Sequence, residues 1–441
     1  MPRPQLPPGP RTTLIATARY LRDPVAALLD MADRYGDPFT WPTFMGRVVV
    51  TGDPVGIREI LTADPAVYSA LGAELLGPVM GANNLILLSG EPHRAMRRFY
   101  GAQFHGERLH DYGAVISRIA GEHAARWPDD RPFVVEETMR VISLEVILEV
   151  VLGLGESGTR ERFKGAIIQL IRALKPSFMF IPSLRRSMLG LSAWARFQRR
   201  AAAAAALFEQ EVAARRARDN PRHDLLSMLT TAHKEDGTPF GGEEILEQMV
   251  SLIGAGHETT ASALTWAFFH IHRNPSVKQR LLDELAGLGK ETDPVAVTRL
   301  PFLDAVCSEV LRLNPVAPLM GRTLRSPLTL KGHTLPAGVS VGISIAALHR
   351  RPELYPDPDR FSPERFLGRT YDPFEYLPFG GGSRRCLGAA FADYEMKLVL
   401  ATVLRAHALD LIDQGDVRTA LRNTTASPAK RIRMVRSQHL A

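Results

Sequence analysis

Hydrophobic and polar positions follow a helical pattern over most of the chain. Residues 194–218 are almost entirely helix-forming residues with interspersed charges, which predicts a helix with a solvated face. Residues 242–273 are apolar on nearly all sides, which predicts a long, buried central helix. Its middle is unusual, because Gly254 and Gly256 weaken the helix and residues 257–260 place polar groups where a core is expected.

A first β-prone region lies near the start of the chain. Residues 40–54 contain two β-prone runs that are separated by Met45 and Gly46, which predicts a hairpin. Asp53 and Pro54 then predict the start of a helix, because they suit its N-cap and first-turn positions.

A second β-prone region lies late in the chain. Residues 326–350 alternate apolar and polar positions around turns at residues 331–332 and 336–338, which predicts a small antiparallel sheet. The sequence shows no internal repeat and no linker that divides it. We therefore expect one mainly α domain with a minor β region over residues 1–441, with residues 1–12 as a flexible N-terminal segment.

Composition limits the classes of protein to which the chain can belong. With 441 residues and 45% hydrophobic content, it is long enough to bury a sizeable core. The sequence has no secretory signal and no apolar run of the roughly 18 residues that a membrane helix needs. Its two cysteines, Cys307 and Cys386, are too few for a disulfide framework. We expect a cytoplasmic protein without a membrane span.

The charge balance is mildly basic. The net charge is +7, from 54 Lys and Arg residues against 47 Asp and Glu residues, and most of the excess is spread along the chain. This distribution argues against a stripe that binds nucleic acid. A basic patch for an acidic protein partner is the better interpretation.

Cys386 stands in a setting that favours its ionised form. Gly380, Gly381 and Gly382 precede it, and a segment with helical periodicity follows it. Amide donors at a helix start and nearby arginines both stabilise a thiolate. Such a thiolate can act as a nucleophile, a redox thiol or a metal ligand, and a space-filling cysteine is the remaining alternative. A phosphate-binding loop is disfavoured, because no Lys-Ser or Lys-Thr pair follows the glycines.

The residues around Cys386 carry a family resemblance. Phe379, Gly382, Arg384, Cys386 and Gly388 match every fixed position of the haem-binding signature of the cytochrome P450 family. Three further motifs occur in the family's order, so the chain resembles cytochromes P450 over most of its length. The resemblance implies the cytochrome P450 fold in a single haem domain. It also implies a haem b whose iron is bound by the Cys386 thiolate, and no flavin or nicotinamide site in this chain.

The second motif is an ion pair with a third partner. Glu309 and Arg312 lie three residues apart and share one face of a predicted helix. In the family such a pair is buried and joined by an arginine from a later loop, and Arg365 matches that arginine here. The resemblance implies a structural triad that holds the loop of Cys386. A weak surface ion pair is the alternative.

The third motif is the polar interruption of the central helix. A threonine hydroxyl can bond to the carbonyl four residues earlier, which for Thr259 is Ala255, and this opens the helix locally. In the proteins that this chain resembles, the acid and the threonine deliver protons to dioxygen. The resemblance therefore implies a catalytic role for Glu258 and Thr259. A satisfied polar pair in a kinked core helix is the alternative.

The fourth motif concerns the haem propionates. His93 and Arg97 lie four residues apart on a predicted helix and match family residues that bind these carboxylates. Arg322 and Arg384 match two further propionate contacts, and guanidinium groups suit carboxylates through their paired N–H donors. A surface histidine is the alternative for His93.

The resemblance implies that one atom of dioxygen is inserted into a hydrophobic small molecule, by hydroxylation or epoxidation. Electrons would come from a ferredoxin or flavodoxin with its reductase, as in soluble bacterial relatives, and we expect a monomer. The candidates for a basic docking surface are Arg94, Arg98, Arg385 and Lys397. A peroxide-driven peroxygenase or an isomerase on the same fold, and a non-catalytic haem-binding protein, remain alternatives.

The substrate pocket is expected from family position to be largely apolar. Its candidate residues are Phe178, Phe180, Ala255, Val316, Leu319, Met320 and Thr425. A terpenoid, fatty acid, steroid or polyketide would suit such a pocket. Val316 departs from the family pattern, because proline is common at its position.

Overall fold

The computed structural model describes most of the chain, and helices dominate it. The described residues are 6–81, 83–101, 104, 107–153, 157–175, 178, 181–217, 224–234, 237–289, 293–422 and 425–437. The α-helices are α1 (Thr13–Arg22), α2 (Pro24–Tyr35), α3 (Pro54–Thr62), α4 (Ala73–Met80), α5 (Gly90–Gly101), α6 (Glu107–Ala124), α7 (Val135–Leu152), α8 (Ser157–Ala173), α9 (Ala193–Arg216), α10 (Leu225–Thr231), α11 (Gly242–Arg273), α12 (Pro275–Ala286), α13 (Pro294–Thr298), α14 (Pro301–Leu313), α15 (Ile345–Leu348) and α16 (Ala389–Ala406). The prediction of a mainly α protein is confirmed.

The β-strands are short. They are β1 (Phe39–Thr43), β2 (Gly46–Thr51), β3 (Tyr68–Ala70), β4 (Phe133–Val134), β5 (Leu319–Leu324), β6 (Leu328–Leu330), β7 (His333–Leu335), β8 (Ser340–Ser344), β9 (Ala408–Leu411), β10 (Thr419–Arg422), β11 (Thr425–Pro428) and β12 (Arg433–Ser437). They form a five-stranded sheet in the order β1-β2-β8-β5-β3, a three-stranded sheet in the order β4-β12-β9, and the pairs β10-β11 and β6-β7. The minor β region is therefore confirmed.

Packing divides the chain into two compact units. The first contains residues 1–69, 98–143 and 258–441, and the second contains residues 70–97 and 144–257. The extent of the haem domain, residues 1–441, stays a prediction. No helix within the described ranges is long and apolar enough to cross a membrane.

The predicted hairpin at residues 40–54 is confirmed. Strands β1 and β2 pair antiparallel, from Phe39 opposite Val50 to Thr43 opposite Gly46. Helix α3 then begins as predicted, because the Asp53 carboxylate caps it and accepts from the amides of Val55 and Gly56.

The prediction of one antiparallel sheet over residues 326–350 is wrong for its last strand. Strands β6 and β7 form the expected hairpin around Lys331 and Gly332. Strand β8 instead joins the five-stranded sheet, where it pairs parallel with β2 and antiparallel with β5. All five residues of β8 are buried, and a strand that is buried throughout is stabilised in the interior of a sheet rather than at the edge of a small hairpin.

The second unit contains the alanine-rich helix. The helix predicted over residues 194–218 forms as α9, which packs on α8 through the edge-to-face rings of Phe208 and Phe163 at 4.9 Å. Near its end, the buried Arg215 donates to Glu211 at 2.7 Å and pairs with Asp224. This network joins the end of α9 to Asp224, the residue that caps α10.

Candidate active site around Cys386

One backbone hydrogen bond closes the loop that carries Cys386. The Cys386 N–H donates to the Phe379 carbonyl over 2.8 Å, and a 3-10 turn, Gly382–Arg384, lies inside the loop. Helix α16 begins three residues after the cysteine. Cys386 is exposed and forms no disulfide. The loop therefore presents a cysteine near the start of a helix, where amide dipoles favour the thiolate.

Two glycines give the loop its shape. Gly380 and Gly382 have φ angles of 68° and 63°, in the left-handed region that favours glycine. A Cβ atom at Gly380 would lie 2.5 Å from the Met320 sulfur, and one at Gly382 would lie 3.0 Å from the Leu61 carbonyl oxygen. Both backbone conformation and close packing therefore require glycine before Cys386.

We expect Gly382→Ala to destabilise the protein by about 1–2 kcal/mol, the cost of a left-handed conformation for an L-residue. The contact with the Leu61 carbonyl adds to this cost, because a backbone atom cannot move aside freely. The measurement is the urea midpoint of unfolding. Gly415→Ala is the control, because a Cβ atom there meets nothing within 4 Å. Equal midpoints for the two variants would contradict the expectation.

Arg322 is a buried cation on β5 that fits an anionic ligand. Its Nη2 donates to the Gly381 carbonyl over 3.1 Å, and its guanidinium lies 5.2 Å from the Tyr68 ring centroid. Burial lowers the pKa of Arg322, and the Tyr68 hydroxyl opposes this shift. No carboxylate pairs with Arg322 within the part of the chain that the structure describes. A carboxylate of a ligand would compensate this buried charge, so the site fits a haem propionate.

The triad of Glu309, Arg312 and Arg365 lies within hydrogen-bonding distance. Arg312 donates from Nε to Glu309 Oε2 over 2.6 Å and from Nη2 to Oε1 over 2.8 Å, and Arg365 Nε donates to Oε1 over 3.1 Å. Glu309 and Arg312 are completely buried, so their pair is not a surface ion pair. Arg312 also donates to the carbonyls of His349 and Pro358. The triad therefore joins α14 to the loops that follow α15.

The middle of α11 differs from the rest of the helix in exposure. Gly254 and Ala255 are exposed, and Glu258 and Thr259 are half-buried, whereas Ile253 is completely buried. The helix predicted over residues 242–273 is confirmed over its whole length. Its surface is accessible at residues 254–255, one turn before Glu258 and Thr259.

Hydrogen bonds join α11 to one segment of the predicted pocket, and that segment is bonded in turn to a second one. Ser262 Oγ donates to the Ala426 carbonyl over 2.8 Å and lies 3.1 Å from Ser427 Oγ. The Ala426 N–H donates to the Val316 carbonyl over 2.9 Å. Thr425 precedes this cluster and is buried. The sequence analysis missed Ser262, whose signal is a serine three residues after the Glu-Thr motif in an apolar helix.

The other pocket candidates on the first unit lie on β5. Leu319 and Met320 are half-buried, and Met320 packs against Gly380 of the Cys386 loop. Phe180 lies outside the described residues. The assignment of these residues to a pocket stays a prediction.

In the second unit, α5 carries His93 and Arg97. His93 is buried and Arg97 is half-buried. Phe178 is also buried, and its ring lies 5.4 Å from the ring centroids of both Trp194 and Phe197. Phe178 is therefore part of an aromatic cluster at the start of α9.

The prediction of a basic docking surface is wrong for Lys397. This lysine is 5% exposed, and its Nζ donates to Asp304 over 2.5 Å and to Asp393 over 2.6 Å. Burial alone lowers the pKa of Lys397, but the charge of Asp393, the charge of Cys307 and the hydrogen bonds to Asp304 and Asp393 together outweigh burial, so the net shift of the pKa is upward. Arg94 is exposed and pairs with Glu91. The other two candidates are exposed, namely Arg98 and Arg385.

Comparison with known proteins places the chain in one family. Residues 4–435 match the family described as Cytochrome P450. The chain is 34% identical over 434 residues to "Putative cytochrome P450 135B1" of Mycobacterium tuberculosis, which covers 97% of this chain and 91% of the relative. It is 33% identical over 399 residues to "Putative cytochrome P450 138" of Mycobacterium bovis, with 90% and 88% covered.

Solved structures share the fold. Retinoic acid-bound cyanobacterial CYP120A1 has a TM-score of 0.86 at 24% identity, covering 98% of this chain and 99% of that structure. The haem domain of cytochrome P450DA has a TM-score of 0.85 at 22% identity, covering 99% and 98%. The chain therefore belongs to the cytochrome P450 family. It is a cytochrome P450 monooxygenase, and the family implies a haem cofactor.

Proposed function

We propose that the Cys386 thiolate would bind the iron of a haem b, in a monooxygenase that hydroxylates or epoxidises a hydrophobic small molecule. The haem, when bound, activates dioxygen, and a thiolate ligand favours O–O cleavage. The observation that carries the proposal is the loop in which an exposed cysteine follows two left-handed glycines and is held by the Phe379 carbonyl.

The charged residues near this loop support the assignment. Arg322 is buried, and no carboxylate pairs with it among the described residues. We therefore assign Arg322 to a propionate. Family resemblance adds Arg384, which lies in the Cys386 loop. By family resemblance His93 and Arg97 have the same role. By the same resemblance, Phe379 and Gly388 complete the cofactor-binding set.

Glu258 and Thr259 supply the proton relay of the proposed reaction. They follow the exposed turn at Gly254 and Ala255, which supports this proposal because that surface of α11 is accessible to a small molecule. The carboxyl group exchanges protons with solvent, and the hydroxyl donates one into the site. A haem-binding protein without turnover has no need for this pair.

The surroundings of the loop support a proposal for the substrate class and for the electron donor. The half-buried side chains of Val316, Leu319 and Met320 are apolar, which suits a terpenoid, fatty acid, steroid or polyketide. Electrons come from a ferredoxin or flavodoxin with its reductase. The exposed Arg98 and Arg385 provide positive charge for such an acidic partner.

Thr259→Ala should uncouple electron consumption from product formation. Loss of a positioned proton donor costs on the order of 10²-fold or more, so product per electron should fall sharply while electrons are still consumed. The measurement compares reductant consumed, hydrogen peroxide released and product formed with a ferredoxin and its reductase.

Thr265→Ala is the matched control for this variant. Thr265 lies on the same helix, is completely buried and donates to the Ala261 carbonyl over 2.7 Å. Its replacement should leave coupling unchanged. Wild-type coupling in the Thr259 variant would contradict the proton relay. Wild-type turnover with hydrogen peroxide but none with the redox partner would instead identify a peroxygenase.

A further inference from the structure

We propose that His349 positions the loop of Cys386, by linking the backbone of α14 to the amide of Leu377 through the two nitrogens of its ring. The link extends the proposed function, because it concerns the loop that would present the thiolate. His349 belongs to none of the four family motifs discussed above. It acts through other residues and is a positioning residue, not a catalytic one.

The imidazole of His349 is completely buried and bonded at both nitrogens. It follows α15, and its Nδ1 lies 3.2 Å from the Arg312 carbonyl oxygen. Its Nε2 lies 2.9 Å from the Leu377 backbone nitrogen. One side chain thus bridges two backbone groups that are 65 positions apart in the sequence, one in the triad helix and one at the start of the ligand loop.

The two partners determine the proton arrangement of the ring. A backbone amide only donates, so Nε2 accepts from Leu377, and a carbonyl only accepts, so Nδ1 carries the proton that is donated to Arg312. The ring is therefore neutral, with its single proton on Nδ1. Burial, followed by the charge of Arg312, lowers the pKa of His349 to about 3, so the ring keeps this tautomer near neutral pH.

The hydrogen bonds continue from Leu377 to the cysteine. The Leu377 carbonyl accepts from the Gly380 N–H over 3.0 Å, and the Phe379 carbonyl accepts from the Cys386 N–H over 2.8 Å. A contiguous path therefore runs from the Arg312 carbonyl through His349 into the closure of the loop. Such a path is a physical route by which a change at His349 can alter the Cys386 loop. Variants of His349 can test whether this coupling exists.

Two neighbouring tyrosines bond to or lie in the segment just before Leu377, but neither bonds to the Leu377 amide. The Tyr376 hydroxyl donates to the Ser308 carbonyl over 2.9 Å, and its ring stacks on His349 at 5.3 Å. The Tyr355 hydroxyl donates to the Glu375 carbonyl over 2.8 Å. These bonds fix residues 375 and 376, whereas the Leu377 amide depends on the imidazole.

The direct test is hydrogen exchange of the Leu377 amide in the haem-loaded protein. His349→Phe keeps an aromatic ring against Tyr376 but removes the acceptor, so the amide should exchange about tenfold faster or more, as expected when a hydrogen bond worth about 1.4 kcal/mol is lost. His349→Gln offers an acceptor and a donor and should restore most of the protection.

The second readout is the fraction of protein that keeps the red-shifted Soret band of thiolate-ligated haem with carbon monoxide, which should fall for the phenylalanine variant.

His270→Phe is the matched control. His270 is also buried and stacked, at 4.6 Å on Phe361, but its Nε2 bonds to the Asn314 side chain and not to the ligand loop. Its replacement should leave Leu377 exchange unchanged. Equal acceleration in both variants, or wild-type exchange in the His349→Phe variant, would overturn the proposal.

The glutamine variant keeps the test decisive if His349→Phe does not fold. If the glutamine variant is folded but exchange at Leu377 is as fast as in the unfolded chain while other core amides stay protected, an acceptor at position 349 does not hold this amide, and the proposal is overturned. Failure of the proposed function is recognised separately, because a wild-type protein without the red-shifted band refutes haem-thiolate ligation, while exchange at Leu377 still decides the positioning role.

Discussion

Replacing Cys386 with alanine should abolish the red-shifted Soret band that we expect of the reduced wild-type protein with carbon monoxide. An alanine offers no ligand to iron, and a neutral ligand from elsewhere does not donate charge as a thiolate does. Monooxygenase activity should be lost completely. The measurement is the carbon monoxide difference spectrum, with circular dichroism to verify that the variant is folded.

Cys307 does not substitute for Cys386. It is the only other cysteine in the sequence, it lies completely buried within α14, and burial raises its pKa. A buried neutral thiol is a poor ligand, because the thiolate is the form that binds metal. Cys307→Ala is therefore the control, and it should keep the band. Retention of the band in Cys386→Ala, or its loss in both variants, would contradict the assignment of Cys386.

Features that lie within short stretches of sequence were the predictable ones. The glycines before Cys386, the Glu309 and Arg312 pair, and the polar turn of the central helix depend on local spacing, and each appears where the sequence places it. Their shared basis is that backbone conformation and helix periodicity are local properties. Resemblance to a family added roles that spacing alone leaves open.

Features that depend on distant partners were not predictable. Strand β8 alternates like a hairpin strand, but its parallel partner β2 lies almost 300 residues earlier. Lys397 is a typical surface residue by type, but it is buried and pairs with Asp304 of a distant helix as well as with Asp393 of its own helix. The bond of His349 to Leu377 involves a backbone amide, which no residue pattern marks.

The triad and the His349 bridge meet at one residue. Arg312 is bonded through its guanidinium to Glu309 and through its carbonyl to His349, and it donates to the His349 carbonyl in return. Side-chain and backbone contacts of α14 therefore support the same region of the protein. Removing the charge partner of Arg312 should disturb both the stability of the fold and the loop of Cys386.

Glu309→Ala should destabilise the protein by about 3–5 kcal/mol, the usual effect of leaving a buried charge unpaired. The change removes the acceptor of two hydrogen bonds from Arg312 and one from Arg365, while the guanidinium of Arg312 stays completely buried. A loss of this size is a large part of the total stability of a protein, about 5–15 kcal/mol. The measurement is the urea midpoint of unfolding, together with the fraction of protein that retains haem.

Glu122→Ala is the control, because it separates the effect of losing a buried ion pair from the effect of losing an exposed one. Glu122 accepts from Arg118 over 3.0 Å on a solvated face of α6, where both side chains are about half exposed. Such a pair contributes less than about 1 kcal/mol, because water solvates both charges when it is broken. The midpoint should therefore fall much further for Glu309→Ala than for Glu122→Ala. Similar midpoints would mean that the buried triad does not hold α14 to the loops that support Cys386.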